Sequence, residues 1–326
     1  MAGRRNVIAA AVIVRIAAAL VWAAALMTCA QAATGGADDV NKEMRLAAMI
    51  GDTETVATLL DRGADVNSAG TFGKTALIMA VESNSLDTAA LLIARGADVN
   101  ARTVASCTAL TFAAENGHIG LTALLLERGA NVHDRTRAGW DSLMIASRYG
   151  IDQMVQQLLY RGADPKASDK EGRTALMQAA VNGYSGIVDL LLQHGADIDA
   201  RDKQRATALI IAADHGQVGV VRTLLAQGAN VNARDELGAT ALLWAVGRGD
   251  PTIARILLEQ GADPNLQNED GFSPLMEAVT TDHNELIGML LDYHADPKLT
   301  DGEGHTAADL AKASGNQEAV TALVRP

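Results

Sequence analysis

Apolar residues in this chain fall three and four apart in short bursts, as at Leu77, Ala80 and Val81. That spacing gathers them on one face of a helix. A second burst follows each first one. It carries a paired apolar step, as at Leu59-Leu60, Leu125-Leu126, Leu158-Leu159 and Leu191-Leu192. Thr, Asp or Ser stands before the first burst, at Thr75, Thr108, Asp141, Thr174, Thr207, Thr240 and Ser273. A side-chain oxygen there satisfies orphan amides of a helix's first turn. Pro274 suits the first helical position, where no amide partner is missed. Breaks such as Asn116-Gly117-His118 end the first burst, and a glycine able to take the left-handed conformation ends the second. The pattern predicts two short helices per unit and an all-α chain.

The unit returns every 33 residues with no insertion or deletion. Gly63-Ala64-Asp65, Gly96-Ala97-Asp98, Gly129-Ala130-Asn131 and Gly162-Ala163-Asp164 are followed in step by triplets starting at Gly195, Gly228 and Gly261. Alanine holds Ala47, Ala80, Ala113, Ala146 and the equivalent positions through Ala311. Its small side chain lets neighbouring helices approach closely. A period of this size predicts stacked units in which each touches only its neighbours. The eighth triplet is His294-Ala295-Asp296. A non-glycine at that left-handed position should cost up to about 1 kcal/mol.

These columns, with Thr75-Ala76-Leu77, Thr108-Ala109-Leu110 and Thr174-Ala175-Leu176 at the helix starts, resemble the ankyrin repeat over residues 41–326. The family signature is Thr-Pro-Leu-His-x-Ala. Here the proline is mostly alanine and the histidine mostly apolar, as at Ile78, Met144, Met177 and Ile210. Packing should therefore replace the hydrogen bonds of the family histidine. The resemblance implies an all-α solenoid of about nine helix-turn-helix units with short hairpin-like tips. Their starts lie near residues 41, 74, 107, 140, 173, 206, 239, 272 and 305. It also implies recognition of another protein through a concave groove and the tips.

The first 32 residues stand apart. Arg4 and Arg5 form a basic head, Ile16 to Met27 is apolar, and Ala30-Gln31-Ala32 offers small residues for cleavage before Ala33. Residues 1–32 thus read as a secretory signal peptide, and 33–40 as a short linker to a repeat domain at 41–326. The expected address is periplasmic or secreted, in a bacterium. The rival is a membrane-tethered adaptor held by an uncleaved leader or by a lipidated Cys29.

Aromatics make up 3% of the chain against 48% hydrophobic residues overall, so the core should be aliphatic. Lys and Arg number 27 and Asp and Glu 39, for a net charge of −12. Loss of the leader, which holds arginines and no acid, makes the chain more acidic still. Such a surface repels phosphate backbones and argues against nucleic acid. It also argues against anionic membranes unless the leader is retained or lipidated. Cys107 stands alone once Cys29 leaves with the leader, so no internal disulfide is expected. No His-Glu-x-x-His, Cys-x-x-Cys, phosphate-cradling glycine loop, nucleophile elbow or calcium loop occurs. The expectation is a non-catalytic monomeric scaffold without cofactor or metal. An enzyme, or an accessory to one, with unrecognised chemistry is the other class.

Contact residues should be those that leave the structural columns. Trp140 and Phe272 precede helix starts at the tips, and Phe72 is a third tip aromatic. Trp244 falls in the groove column with Met79, Phe112 and Ile145. Phe112 and Ile145 have an alternative role in sealing adjacent repeats, and Trp244 in packing. Arg148, Tyr149 and His215 lie near the ends of first helices. Aromatics are favoured because they bury much area with little rotamer loss.

Overall fold

Each capping residue performs the hydrogen bond its chemistry suggests. In the computed structural model, which describes residues 37–324, Thr75 accepts from the Ile78 amide, Thr108 from Thr111, Asp141 from Met144 and Ser273 from Met276. The helices that follow run in chain order. The first six are α1 (Ala37–Ile50), α2 (Thr53–Asp61), α3 (Ala76–Glu82), α4 (Leu86–Ala94), α5 (Ala109–Glu115) and α6 (Ile119–Glu127). The next six are α7 (Ser142–Tyr149), α8 (Asp152–Tyr160), α9 (Ala175–Asn182), α10 (Ser185–Gln193), α11 (Ala208–Asp214) and α12 (Val218–Ala226). The last are α13 (Ala241–Gly247), α14 (Pro251–Glu259), α15 (Pro274–Thr280), α16 (Asn284–Asp292), α17 (Ala307–Ser314) and α18 (Gln317–Leu323). Among the described residues there is no strand, only isolated bridges at Ser168 with Thr174 and Thr300 with Thr306. The leader, with Cys29, lies outside the described residues.

Helices pack within a pair and against the same helix of the next pair. Thus α7 touches α8, and it also touches α5 before it and α9 after it. Ala80, Ala113, Ala146, Ala179 and Ala212 are all fully buried at these contacts. The leucines of the second helices, Leu92, Leu125, Leu158, Leu191 and Leu224, are fully buried as well. One aliphatic core therefore runs from Met44 to Ala319. The helix α1 starts at Ala37, inside the segment read as linker, and its 14 residues exceed the 7 of α3. Met44 seals its inner side, while Leu46, Met49 and Ile50 remain exposed.

Two backbone seams join the pairs outside the core. The first uses asparagines beyond the glycine triplets. Asn67 donates to the Gly96 carbonyl at 3.2 Å and accepts from the Asp98 amide at 2.7 Å. Asn100, Asn232 and Asn265 repeat both bonds to the unit that follows. The second seam links the tips, as described below.

His294 has φ 67, and the glycines of the same column span φ 84 to 92. A Cβ added at Gly63, Gly96 or Gly261 would meet nothing within 4 Å, so the only cost at this position is backbone strain. His294→Gly is expected to raise stability by up to about 1 kcal/mol, read as a higher denaturant midpoint at unchanged slope. An unchanged midpoint would mean the strain is absent.

Candidate functional site

The tips are built by a polar residue five positions before each helix cap. Asp169 accepts from the amides of Glu171 and Arg173, and Asp235 from those of Leu237 and Ala239, all at 2.8–2.9 Å. Asn268 and Asp301 do the same, while Thr103 and Thr136 bond the amides of Cys107 and Trp140. Each hairpin then bonds its neighbour. The Val104 amide donates to Phe72 O at 2.8 Å, Arg137 to Ala105 O at 2.8 Å and Lys203 to Glu171 O at 2.9 Å. Glu236 and Glu269 continue the row at 2.7 and 2.8 Å. The hairpins therefore form one zipped edge, not separate projecting loops. Arginines staple it from the side: Arg135 donates to Ser168 O and Arg201 to Arg234 O, both at 2.8 Å.

Beneath the middle of this edge lies a cleft of about 310 Å³. Trp140, Ile145, Tyr149, Arg148, Cys107 and Ala138 are among its walls. Trp140 is half-buried and packs on the core. Two guanidiniums lie against its ring, Arg148 at 5.2 Å and Arg173 at 5.7 Å from the centroid, within cation–π range. Arg173 is fixed by the buried Asp169 carboxylate, with Nε and Nη2 each 3.1 Å from Oδ2. Tyr149 is 50% exposed, so its ring is free for contact. Cys107 is a free, half-buried thiol at the rim.

The other candidates lie elsewhere. Phe72 is 72% exposed and sits at φ 63 on the first tip. Trp244 is half-buried and donates from Nε1 to Asp235 Oδ2 at 2.8 Å, which places its indole in the packing of its own unit. It borders a second cleft of about 250 Å³ with Leu237, Arg248 and Glu277. Burial raises the Glu277 carboxyl above its ordinary value, opposed by His283. Phe272 is also half-buried on the core, beside an acidic cleft of about 560 Å³ with Glu269, Asp270 and Glu303. His215 turns back to its own helix, its Nδ1 3.0 Å from Ile211 O. Phe112 is half-buried against the core, and Ile145 is 7% exposed. Thus the fold gathers Trp140, Arg148 and Tyr149 and leaves Phe72, Trp244, Phe272 and His215 apart. Sequence reasoning missed Val104 and Leu237, which are 61% and 54% exposed on the zipped edge. Large apolar side chains between turn residues were the available signal.

A family model for ankyrin repeats in three copies matches residues 44–136, 143–235 and 242–326. The chain belongs to the ankyrin-repeat family. No curated protein matches the sequence significantly. Ankyrin repeats generally mediate protein–protein interaction and are typically non-catalytic scaffolds. Among the described residues of this ankyrin chain, no His, Cys, Asp and Glu side chains gather as metal ligands. Nor is any helix among them long and apolar enough to cross a membrane.

The cap of α7 is a carboxylate in a buried place. Asp141 is 4% exposed where other units have Thr or Ser. Burial pushes its carboxyl above the ordinary 3.8, against the pull of the Met144 amide and the Arg135 charge. A raised value means the folded chain holds this proton more tightly than the unfolded chain does. The stability it confers is complete below the unfolded value and lost as pH rises through the folded one. Asp141→Thr keeps the cap and removes the buried charge. It is expected to raise the melting temperature at pH 7 more than at pH 3. An equal change at both pH values would contradict this.

Proposed function

We propose that this chain is an exported bacterial scaffold of nine ankyrin units that binds another protein, without catalysis, through the cleft at Trp140, Arg148 and Tyr149. The observation that supports it is the joining of an exposed ring, a stacked arginine and an apolar floor beneath a hydrogen-bonded edge. A preformed surface loses little freedom on docking, so more of the contact energy appears as affinity. Trp140 and Tyr149 supply the area of an interface anchor, and Arg148 the charge. The chain acts as a monomer outside the cytoplasm once residues 1–32 are removed.

The test is affinity capture with the full-length chain from the exporting cell. Tyr149→Ala is the clean variant, because its ring is half in water already. It is expected to lose the partner, while Tyr160→Ala, at a side chain 86% exposed on α8, retains it. Equal capture by Tyr149→Ala would place the contact elsewhere. Mass spectrometry of the amino terminus tests the address. Ala33 at the start supports release, and an acylated Cys29 supports the tethered adaptor.

A further inference from the structure

We propose that the partner presents an acidic, extended polypeptide segment to the middle of the zipped edge, running over the Trp140 cleft. The proposal rests on the reading above that this cleft receives a protein, and it names the chemistry of what enters. Its basis is a sign change of charge along the edge of an otherwise acidic molecule.

The middle hairpins concentrate cations. Arg135, Arg137, Lys170 and Arg205 lie on them, and a fifth cation, Arg148, lines the cleft, where the exposed Glu115 also lies. None of these has a carboxylate within ion-pair reach among the described residues, and all five are exposed. Three acids near the same tips are taken up by cations, while Asp202 is half-buried and accepts from the Ala206 amide at 2.9 Å, and Asp164 and Asp197 lie back in the glycine triplets. Asp134 is buried against Arg102, Asp169 is buried against Arg173, and Glu171 lies 3.5 Å from Lys203. On the next hairpin the exposed Arg234 offsets Glu236, and acids prevail on the hairpin after it. Glu236, Glu269 and Asp270 are exposed, and none has a cation in ion-pair reach among the described residues.

Some of these cations are also held in place. Arg137 Nη2 donates to Val104 O and Arg135 Nη1 to Ser168 O, each at 2.8 Å. Carbonyls fix a guanidinium's position but leave its charge uncompensated. A carboxylate meeting such a fork gains charge-assisted, paired hydrogen bonds without first ordering the side chain. The zipped edge sets the cations in a row, which suits an extended segment. The acidic hairpins beyond Leu237 repel the same segment and confine it to the middle tips. Trp140 and Tyr149 then take an apolar side chain between its acids.

Two other anionic occupants meet objections. A long polyanion such as nucleic acid would run past the middle tips onto the exposed Glu269 and Asp270, which repel it. A second copy would set its acidic hairpins against the basic ones edge to edge, leaving the Trp140 cleft empty.

The test is fluorescence anisotropy of a labelled decaglutamate peptide added to the full-length chain, with decalysine and a thymidine decanucleotide as comparisons. Decaglutamate is expected to bind. Raising salt from about 0.05 M to about 0.2 M should weaken it by roughly tenfold, because the contacts are exposed charges. The double variant Lys170→Glu with Arg205→Glu should weaken it by a similar factor at unchanged circular dichroism. The variant Glu236→Lys with Glu269→Lys should bind at least as well as the parent. Equal affinity for decaglutamate in the first variant would overturn the proposal. So would thymidine decanucleotide binding as tightly as the peptide, or a dimer in sedimentation that dissolves on the same charge reversal. A chain that captures a partner through Tyr149 yet ignores decaglutamate overturns the acidic assignment alone and leaves the scaffold reading standing.

Discussion

Leu158→Ala is expected to cost about 2–5 kcal/mol and to divide a single unfolding transition in two. Leu158 is fully buried in α8, near the middle of the stack. Removing its branched end leaves a cavity that the surrounding helices fill only in part. In a globular core that would simply lower the midpoint. A stack differs, because stability is a sum of unit terms and nearest-neighbour interfaces. A weak unit in the middle uncouples the helices before it from those after it. The same truncation at Leu59, in α2 near one end, should instead produce fraying with one main transition. Denaturant titration followed by circular dichroism distinguishes the two. A uniform shift of one transition in both variants would contradict neighbour-only coupling.

Ala146→Leu is expected to destabilise by about 1–3 kcal/mol, although it adds apolar surface. Ala146 is fully buried where α7 meets α5 and α9. A longer side chain there must push helices apart on two sides at once. Interiors packed to crystal density have no room to absorb three extra carbons. Ala146→Ser should cost far less, since it adds one small atom. Thermal melts of both variants give the comparison, and a neutral Ala146→Leu would mean the alanine column does not set the helix spacing.

The local rules of the fold were legible in the chain. A helix cap is settled by one side chain and an amide three residues on, so Thr75, Thr108, Asp141 and Ser273 could be read without knowing their neighbours. The alanine and leucine columns were equally legible, because a period repeated without slippage has few physical solutions. Asn67 and Asn100 were not, since their partners are a carbonyl and an amide in the following unit. The zipped edge escaped for the same reason.

The candidate site was legible only in part. Trp140, Arg148 and Tyr149 came together because they straddle one helix cap and the end of the helix it starts. That Trp140 would turn inward between two guanidiniums depended on Arg173 and Asp169, which the next hairpin supplies. Trp244 was ambiguous until its bond to Asp235 appeared. The charge pattern along the edge was hidden in residue counts, because Asp134 and Asp169 are taken up by Arg102 and Arg173 and leave Arg135, Arg137 and Lys170 unmatched.

Recognition by this chain rests on an edge that is ordered before any partner arrives. Hydrogen exchange of the tip amides of Val104, Arg137, Lys203, Glu236 and Glu269 reads that order directly. Each belongs to an exposed residue yet donates to a carbonyl of the preceding hairpin. Protection well above that of free loops, lost together on unfolding of the stack, is the expected result. Exchange at the rate of an unstructured peptide in the isolated protein would contradict it.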